Sequence, residues 1–149
     1  MNEKSRKERS MQMRLGADSW LLFKVAEKDD AAILLLKEVE YGKHRLIVSV
    51  LSFGEIKVGM YRLGKPQLAE EAIMNFVAIP NVEVVNVDLE VVDEAARRKS
   101  SLGLSFVDSL ILASALIKGC EIFVTGDSDF EIVEKQNIVT VRRPESIVG

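Results

Sequence analysis

The chain has 149 residues, 48% hydrophobic and 29% charged, which suits one globular domain with a sizeable core. Twenty basic against 23 acidic residues give a net charge of −3; this excludes a generally basic nucleic-acid binder, but not a nuclease that holds phosphates through metal ions. Cys120 is the sole cysteine, so no intrachain disulfide exists, and no apolar run reaches the length of a membrane span or a secretory h-region. The expectation is a cytoplasmic protein whose one thiol is buried and structural.

Residues 1–12 are polar and carry Lys4, Arg6, Lys7 and Arg9. They read as a flexible arm ahead of a single domain over 13–149, with Met11 and Met13 as alternative starts. Residues 13–17 form a short first strand. Asp18 and Ser19 can cap a helix carrying Trp20, Leu21, Leu22, Phe23 and Val25. A second helix runs over about 29–41 and stops at Gly42. His44, the only histidine, falls in the polar loop before a second strand over 45–49 and reads as a surface residue. Ser49 or Ser52 then caps a helix to about residue 63, with an apolar stripe of Phe53, Ile56, Met60 and Leu63. Gly64 ends it, and Pro66 starts another helix to about residue 77. The third strand covers 82–87. Residues 89–99 are helical, with Val92, Ala95 and Ala96 inward.

Ser105 is a good N-cap for the next helix, 106–118, which is apolar almost all round and so should be buried on several sides. Asp108 lies in its first turn and shares a face with Leu112 and Ala115; a carboxylate there needs a partner or a metal. Gly119 closes the helix. Residues 122–124 are an all-apolar strand, as in a parallel sheet covered on both faces, and the chain leaves it through Thr125, Gly126, Asp127, Ser128 and Asp129. A helical turn over 130–135, a fifth strand over 138–141 and a short tail from Arg142 complete the chain. Strands alternating with helices predict an α/β fold: a mainly parallel sheet with right-handed crossovers and helices on both faces, three layers in all.

Four acids share one kind of address. Asp18 follows the first strand, Glu55 lies near the start of the helix after the second, Asp108 opens the helix before the fourth, and Asp127 follows the fourth. If strands one, two and four are neighbours, these carboxylates converge at the carboxyl edge of the sheet, where ligand sites of open α/β sheets form. Converging carboxylates repel, so some pKa values rise unless a cation is present. Oxygen-only ligands suit Mg²⁺ or Mn²⁺, which can activate water and stabilise the charge of phosphodiester cleavage. With histidine so scarce, chemistry here must rest on metal and carboxylates.

Each acid also has a plain structural explanation. Asp18 can be an N-cap, Glu55 stands three after Ser52 as in a capping box, Asp108 stands three after Ser105, and Asp127 and Asp129 suit a turn. Taken singly, these explanations hold their ground; the joint pattern favours a site.

The order of these motifs resembles a PIN domain: Asp18-Ser19, then VSVLSFGE ending at Glu55, then FVDSLILASAL with Asp108, then VTGDSDF with Asp127. More narrowly it resembles the VapC-like toxins of prokaryotic toxin–antitoxin pairs, over residues 15 to about 141. The resemblance implies a five-stranded parallel sheet in the order 3-2-1-4-5. It implies a Mg²⁺- or Mn²⁺-dependent endoribonuclease that forms homodimers and is inhibited by a cognate antitoxin. By position, Asp18, Glu55, Asp108 and Asp127 would be the metal-binding acids, Asp129 a weaker fifth, and Ser19 and Thr125 small hydroxyl residues supporting them. Two departures stand out. Trp20 is bulkier than usual after the first motif, narrowing the site or marking an interface, and residues 100–106 lack the Arg and Pro common there. Since the apolar helices outnumber what one sheet of this size needs to cover, Trp20, Leu21 and Phe23 are candidate dimer contacts, with a place in the core as the equal alternative.

Two other functions compete. A non-catalytic PIN-like module would dock RNA or a partner protein, but has little reason to collect four carboxylates. A phosphotransfer domain suits GDSDF superficially; it would want a Lys after a late strand and its acidic pair after the first strand, and neither is present.

Overall fold

The computed structural model describes residues 12–149. The expected flexible arm, with Lys4, Arg6, Lys7, Arg9 and Met11, lies outside the described residues. Five strands form one sheet: β1 (Met13–Ala17), β2 (His44–Ser49), β3 (Val82–Val85), β4 (Ile122–Val124) and β5 (Thr140–Arg142). Their order is β3-β2-β1-β4-β5, and every neighbouring pair is parallel. The helices are α1 (Ser19–Ala26), α2 (Asp30–Glu40), α3 (Val50–Arg62), α4 (Pro66–Val77), α5 (Leu89–Leu102), α6 (Phe106–Ile117) and α7 (Glu131–Lys135). The three-layer α/β/α fold and the strand order expected from the sequence are both present.

Alternation along the strands builds the layers. Leu15, Ala17, Leu46, Val48 and Val124 point to one face, where they meet Leu22 of α1, Leu35 and Val39 of α2, and Phe53 and Ile56 of α3. Ile47 and Val85 point the other way, onto Val91 and Ala95 of α5 and Ala113 of α6. Phe123 joins that second face, packing with Ile111 and Ala115 of α6 and with Phe130 and Val133. Each of these large side chains contributes about 1.5–3 kcal/mol by leaving water. Gly16 sets the spacing between the layers: a Cβ there would stand 2.5 Å from the Cβ of Ala115, so only glycine lets α6 lie this close to β1.

Side chains that accept from free backbone N–H groups fix where the helices start. Asp29 accepts from the Ala32 N–H, Ser49 from that of Leu51, Asp88 from that of Val91, and Ser105 from that of Asp108. Of the two candidate caps for α3, Ser49 is the one used. Ser52 lies buried within the helix with its Oγ unpartnered, so no capping box forms with Glu55. Among the described residues, no single helix is long and apolar enough to cross a membrane.

Several local expectations need correction. His44 is not a surface loop residue: it opens β2, is 4% exposed, and its Nε2 lies 3.2 Å from Glu38 Oε1. Pairing of β2 with β1 starts one residue earlier than the apolar run, at His44 opposite Met13, and this draws the ring inward. Leu63 leaves the α3 stripe because it is the C-cap, beyond the helical rotation, and it is 67% exposed. Helix α5 buries Val91 and Ala95, whereas Ala96 is exposed. The third strand stops at Val85, and the fifth is Thr140–Arg142, two residues later than its apolar run suggested. Helix α6 is buried from Ser109 to Ala115, but Phe106 and Val107 in its first turn are exposed.

Candidate active site

Strand register assembles the site. Ala17 is the register partner of both Val48 in β2 and Val124 in β4. The residues that follow, Asp18, Ser49 and Thr125, therefore stand side by side at the carboxyl edge of the sheet. Asp18 occupies the N-cap position of α1 but does not cap it. Its Oδ2 instead accepts a hydrogen bond of 2.9 Å from the Thr125 hydroxyl. The Thr125 Oγ1 in turn accepts from the Asp127 N–H at 3.0 Å, and Asp127 Oδ1 accepts from the Asp129 N–H at 2.9 Å. One hydroxyl thus ties the end of β1 to the turn after β4, and the same turn chemistry that was a plain alternative for Asp127 holds its carboxylate in place.

Burial and mutual repulsion set the charge state of the acids. Asp18 is 3% exposed; burial pushes its carboxyl up to about 7, against the Thr125 hydrogen bond and with help from the charges of Asp127 and Asp108. Glu55 is raised by burial, opposed by a hydrogen bond from Ser19, and raised further by Asp108 and Asp127. Asp108 is raised by its own burial, opposed by the Ser105 hydroxyl beside it, and raised further by Asp127 and Asp129. Asp18, Glu55 and Asp108 thus each feel the charge of Asp127, and Asp18 and Glu55 also feel that of Asp108. Thr125 bonds Asp18, and Ser19 stands beside Glu55.

The site suits a hard cation. Its donors are carboxylates and hydroxyls. The Asp18 Oδ1 is buried with no hydrogen-bond partner, an expensive condition for a carboxylate oxygen that a bound cation would relieve. Among the described residues, however, no three His, Cys, Asp or Glu side chains are gathered closely enough to hold a metal ion as they stand. A cation would have to draw the carboxyls in.

Trp20 settles on the rim. Its ring lies on the Gly126 backbone so tightly that a Cβ at Gly126 would meet it at 2.3 Å. Arg143 Cζ stands 5.0 Å from the ring centroid and Lys24 Nζ 5.5 Å. Arg143 was not among the residues singled out from the sequence; the signal was the basic pair Arg142-Arg143 at the end of the fifth strand, at the same sheet edge as the acids. Leu21, taken as a dimer contact, is 1% exposed within the core and is not available as one. Cys120, half-buried near Gly16, has its thiol pushed up to about 12 by burial, in keeping with a structural rather than nucleophilic cysteine.

Comparison with known proteins agrees with this geometry. The chain matches the PIN domain model over residues 18–136. Its fold is similar to that of VapBC2 from Rickettsia felis bound to a promoter DNA fragment, with a TM-score of 0.71 at 12% identity over 88% of this chain and 98% of that one. VapC20 from Mycobacterium tuberculosis, a sarcin-ricin loop cleaving toxin, is similar with a TM-score of 0.62 at 18% identity, over 81% of this chain and 94% of that one. PAE2754 from Pyrobaculum aerophilum gives 0.60 at 21% identity over 92% and 95%. Identities this low are likenesses of fold and do not transfer activity. No curated protein matches the chain at a significant level. The family match spans most of the chain and agrees with the sheet order, and so the chain belongs to the PIN domain family.

Proposed function

We propose that this chain is a Mg²⁺- or Mn²⁺-dependent endoribonuclease and the toxin of a toxin–antitoxin pair. The observation that carries the proposal is the buried Asp18 oxygen that no protein group satisfies, near enough to Asp108 and Asp127 to feel their charges, which Glu55 feels as well. Asp18, Asp108 and Asp127 would hold the cation, with Glu55 and Asp129 beside them. When bound, the cation supplies an activated water and neutralises charge developing on the phosphate. Thr125 keeps Asp18 oriented and links it to Asp127, while Ser19 restrains Glu55. Burial of Asp18 keeps bulk water off the inner wall of the site. Cleavage of total RNA should require added Mg²⁺ or Mn²⁺ and stop on chelation; equal cleavage in EDTA would count against the proposal.

The spacing of the carboxyls favours a second reading, a PIN-like module that binds RNA or a partner without cutting. The same RNA experiment separates the two, since a pure binder shifts RNA and leaves its length unchanged.

An RNase of this kind needs a blocker. The partner we propose is a small antitoxin that brings an Arg or Lys to the carboxylates, where a guanidinium pairs well. Its apolar residues would lie in the groove of about 200 Å³ lined by Leu22, Val25, Leu36, Phe53, Ile56 and Phe76. We further propose a homodimer. Exposed apolar side chains remain on α3 and α4, among them Val58, Tyr61, Leu68 and Met74, and Trp20 and Phe23 are half-buried. Light scattering should give twice the 16.6 kDa chain mass, and a monomer at high micromolar concentration would remove this part of the account.

A further inference from the structure

We propose that Arg143, propped by Trp20, forms a phosphate-binding subsite for a phosphodiester next to the one cleaved. This rests on the ribonuclease reading above. A carboxylate cluster repels the RNA backbone, so a substrate strand needs a cation at the rim to hold it in place. Arg143 stands there. A cleft of about 470 Å³ runs beside Asp127; its charged lining is Asp127, Glu131, Glu134, Lys135, Arg142 and Arg143. Of the two arginines, Arg142 is committed to Glu134 through a side-chain hydrogen bond, and it also donates to the Val141 carbonyl. Arg143 reaches the turn itself: its Nη1 would lie 2.9 Å from a Cβ on Gly126, one residue before Asp127.

Its only ion-pair partner among the described residues is Glu145, loosely held at 3.6 Å with both side chains more than half exposed. Such a pair contributes little and exchanges readily for a phosphate. The guanidinium lies over the Trp20 ring, its Cζ 5.0 Å from the ring centroid, a placement from which its N–H groups can donate to a phosphate. Trp20 therefore acts through Arg143 as a positioning residue. Its bulk at the second position after Asp18 gains a purpose, and Gly126 is the residue that makes room for it.

The test uses full-length Asp108→Asn protein, which keeps both residues and should cut slowly enough for binding to be read, and a fluorescein-labelled single-stranded RNA. Adding Arg143→Ala should weaken binding roughly tenfold, the worth of one charge-assisted hydrogen-bonded contact. The slope of log affinity against log salt should fall by about 0.7, as expected for one phosphate contact to a single strand. Partial misfolding would lower the active fraction and leave that slope alone. Trp20→Leu should reproduce most of both effects, while Trp20→Phe, which retains a ring for the guanidinium, should stay within about threefold of the parent. In the cleaving protein, Arg143→Ala should raise KM more than it lowers kcat. If the parent binds and cuts RNA but the Arg143→Ala affinity and salt slope are unchanged, the subsite is wrong and the ribonuclease reading stands. If the chain neither binds nor cuts RNA, both fall.

Discussion

Asp108→Asn should lower RNA cleavage by about 10²–10³-fold, the scale on which losing one group that stabilises transition-state charge is felt. The fold should survive. Asn is nearly isosteric, and the cap of α6 is donated by the backbone N–H of residue 108 to Ser105 Oγ, which the substitution leaves untouched. The side chain also raises, and is raised by, its acidic neighbours, so removing its charge relieves repulsion. Lost activity with an unchanged or higher urea midpoint is the expected pairing. In cells, expression of the chain without its partner should slow growth, and the Asp108→Asn form should not. Equal harmlessness of both forms, with no small protein co-purifying, would move the account to the binding module. Cleavage at the parent rate by Asp108→Asn would remove Asp108 from the site.

The second large effect is on stability, and its sign follows from Asp18. Its carboxyl is pushed from an ordinary value of 3.8 up to about 7 in the folded chain, so the fold prefers the neutral acid. A raised folded-state pKa contributes stability that is complete below the unfolded value near 4 and is lost as pH rises through about 7. At 1.36 kcal/mol per unit, the ceiling for that loss is about 4 kcal/mol, and relaxation of the site would make it smaller. Glu55 and Asp108 are shifted the same way. Glu94 is shifted down, its hydrogen bond from Arg97 foremost, and so is Glu134, by Arg142; both work oppositely, with stability lost as pH falls through their folded values. The comparison must therefore be between variants. Asp18→Asn should flatten the profile between about pH 4 and 8, and at pH 8 should exceed the parent by about 1–3 kcal/mol. Mn²⁺ should offset the same cost in the parent alone: at a hundredfold over its Kd it adds about 2.7 kcal/mol. At about 2–4 °C per kcal/mol this is a rise of roughly 5–10 °C in Tm. An equal rise in the Asp18→Asn, Asp108→Asn double variant would place the cation elsewhere.

Legibility of the sequence followed the strength of its local signals. Layering came through because each strand of a parallel sheet is a short apolar run between helices, whereas the strand order came from the family resemblance. The place of Asp18 beside Thr125 came through because both follow such runs directly and register brings them together. What stayed hidden depended on contacts between distant segments. His44 looked polar and therefore exposed, but Glu38, at the end of the preceding helix, gives it a buried partner. Leu63 continued an apolar stripe, yet the helix stops before it and rotation no longer carries it inward. Ser52 and Glu55 had capping-box spacing, but the helix began three residues earlier at the Ser49 cap. Trp20 showed as a departure without a cause, because its partners Gly126 and Arg143 lie more than a hundred residues away.

The central claim is that the four carboxylates at the sheet edge form one cation site. Anomalous scattering from crystals grown with Mn²⁺ tests it most directly, independent of any assay of cleavage. The account predicts a peak in contact with Asp18 Oδ1, the buried oxygen without a partner, with Asp108 and Asp127 drawn toward it. A peak away from these residues, or none at saturating Mn²⁺, would contradict it.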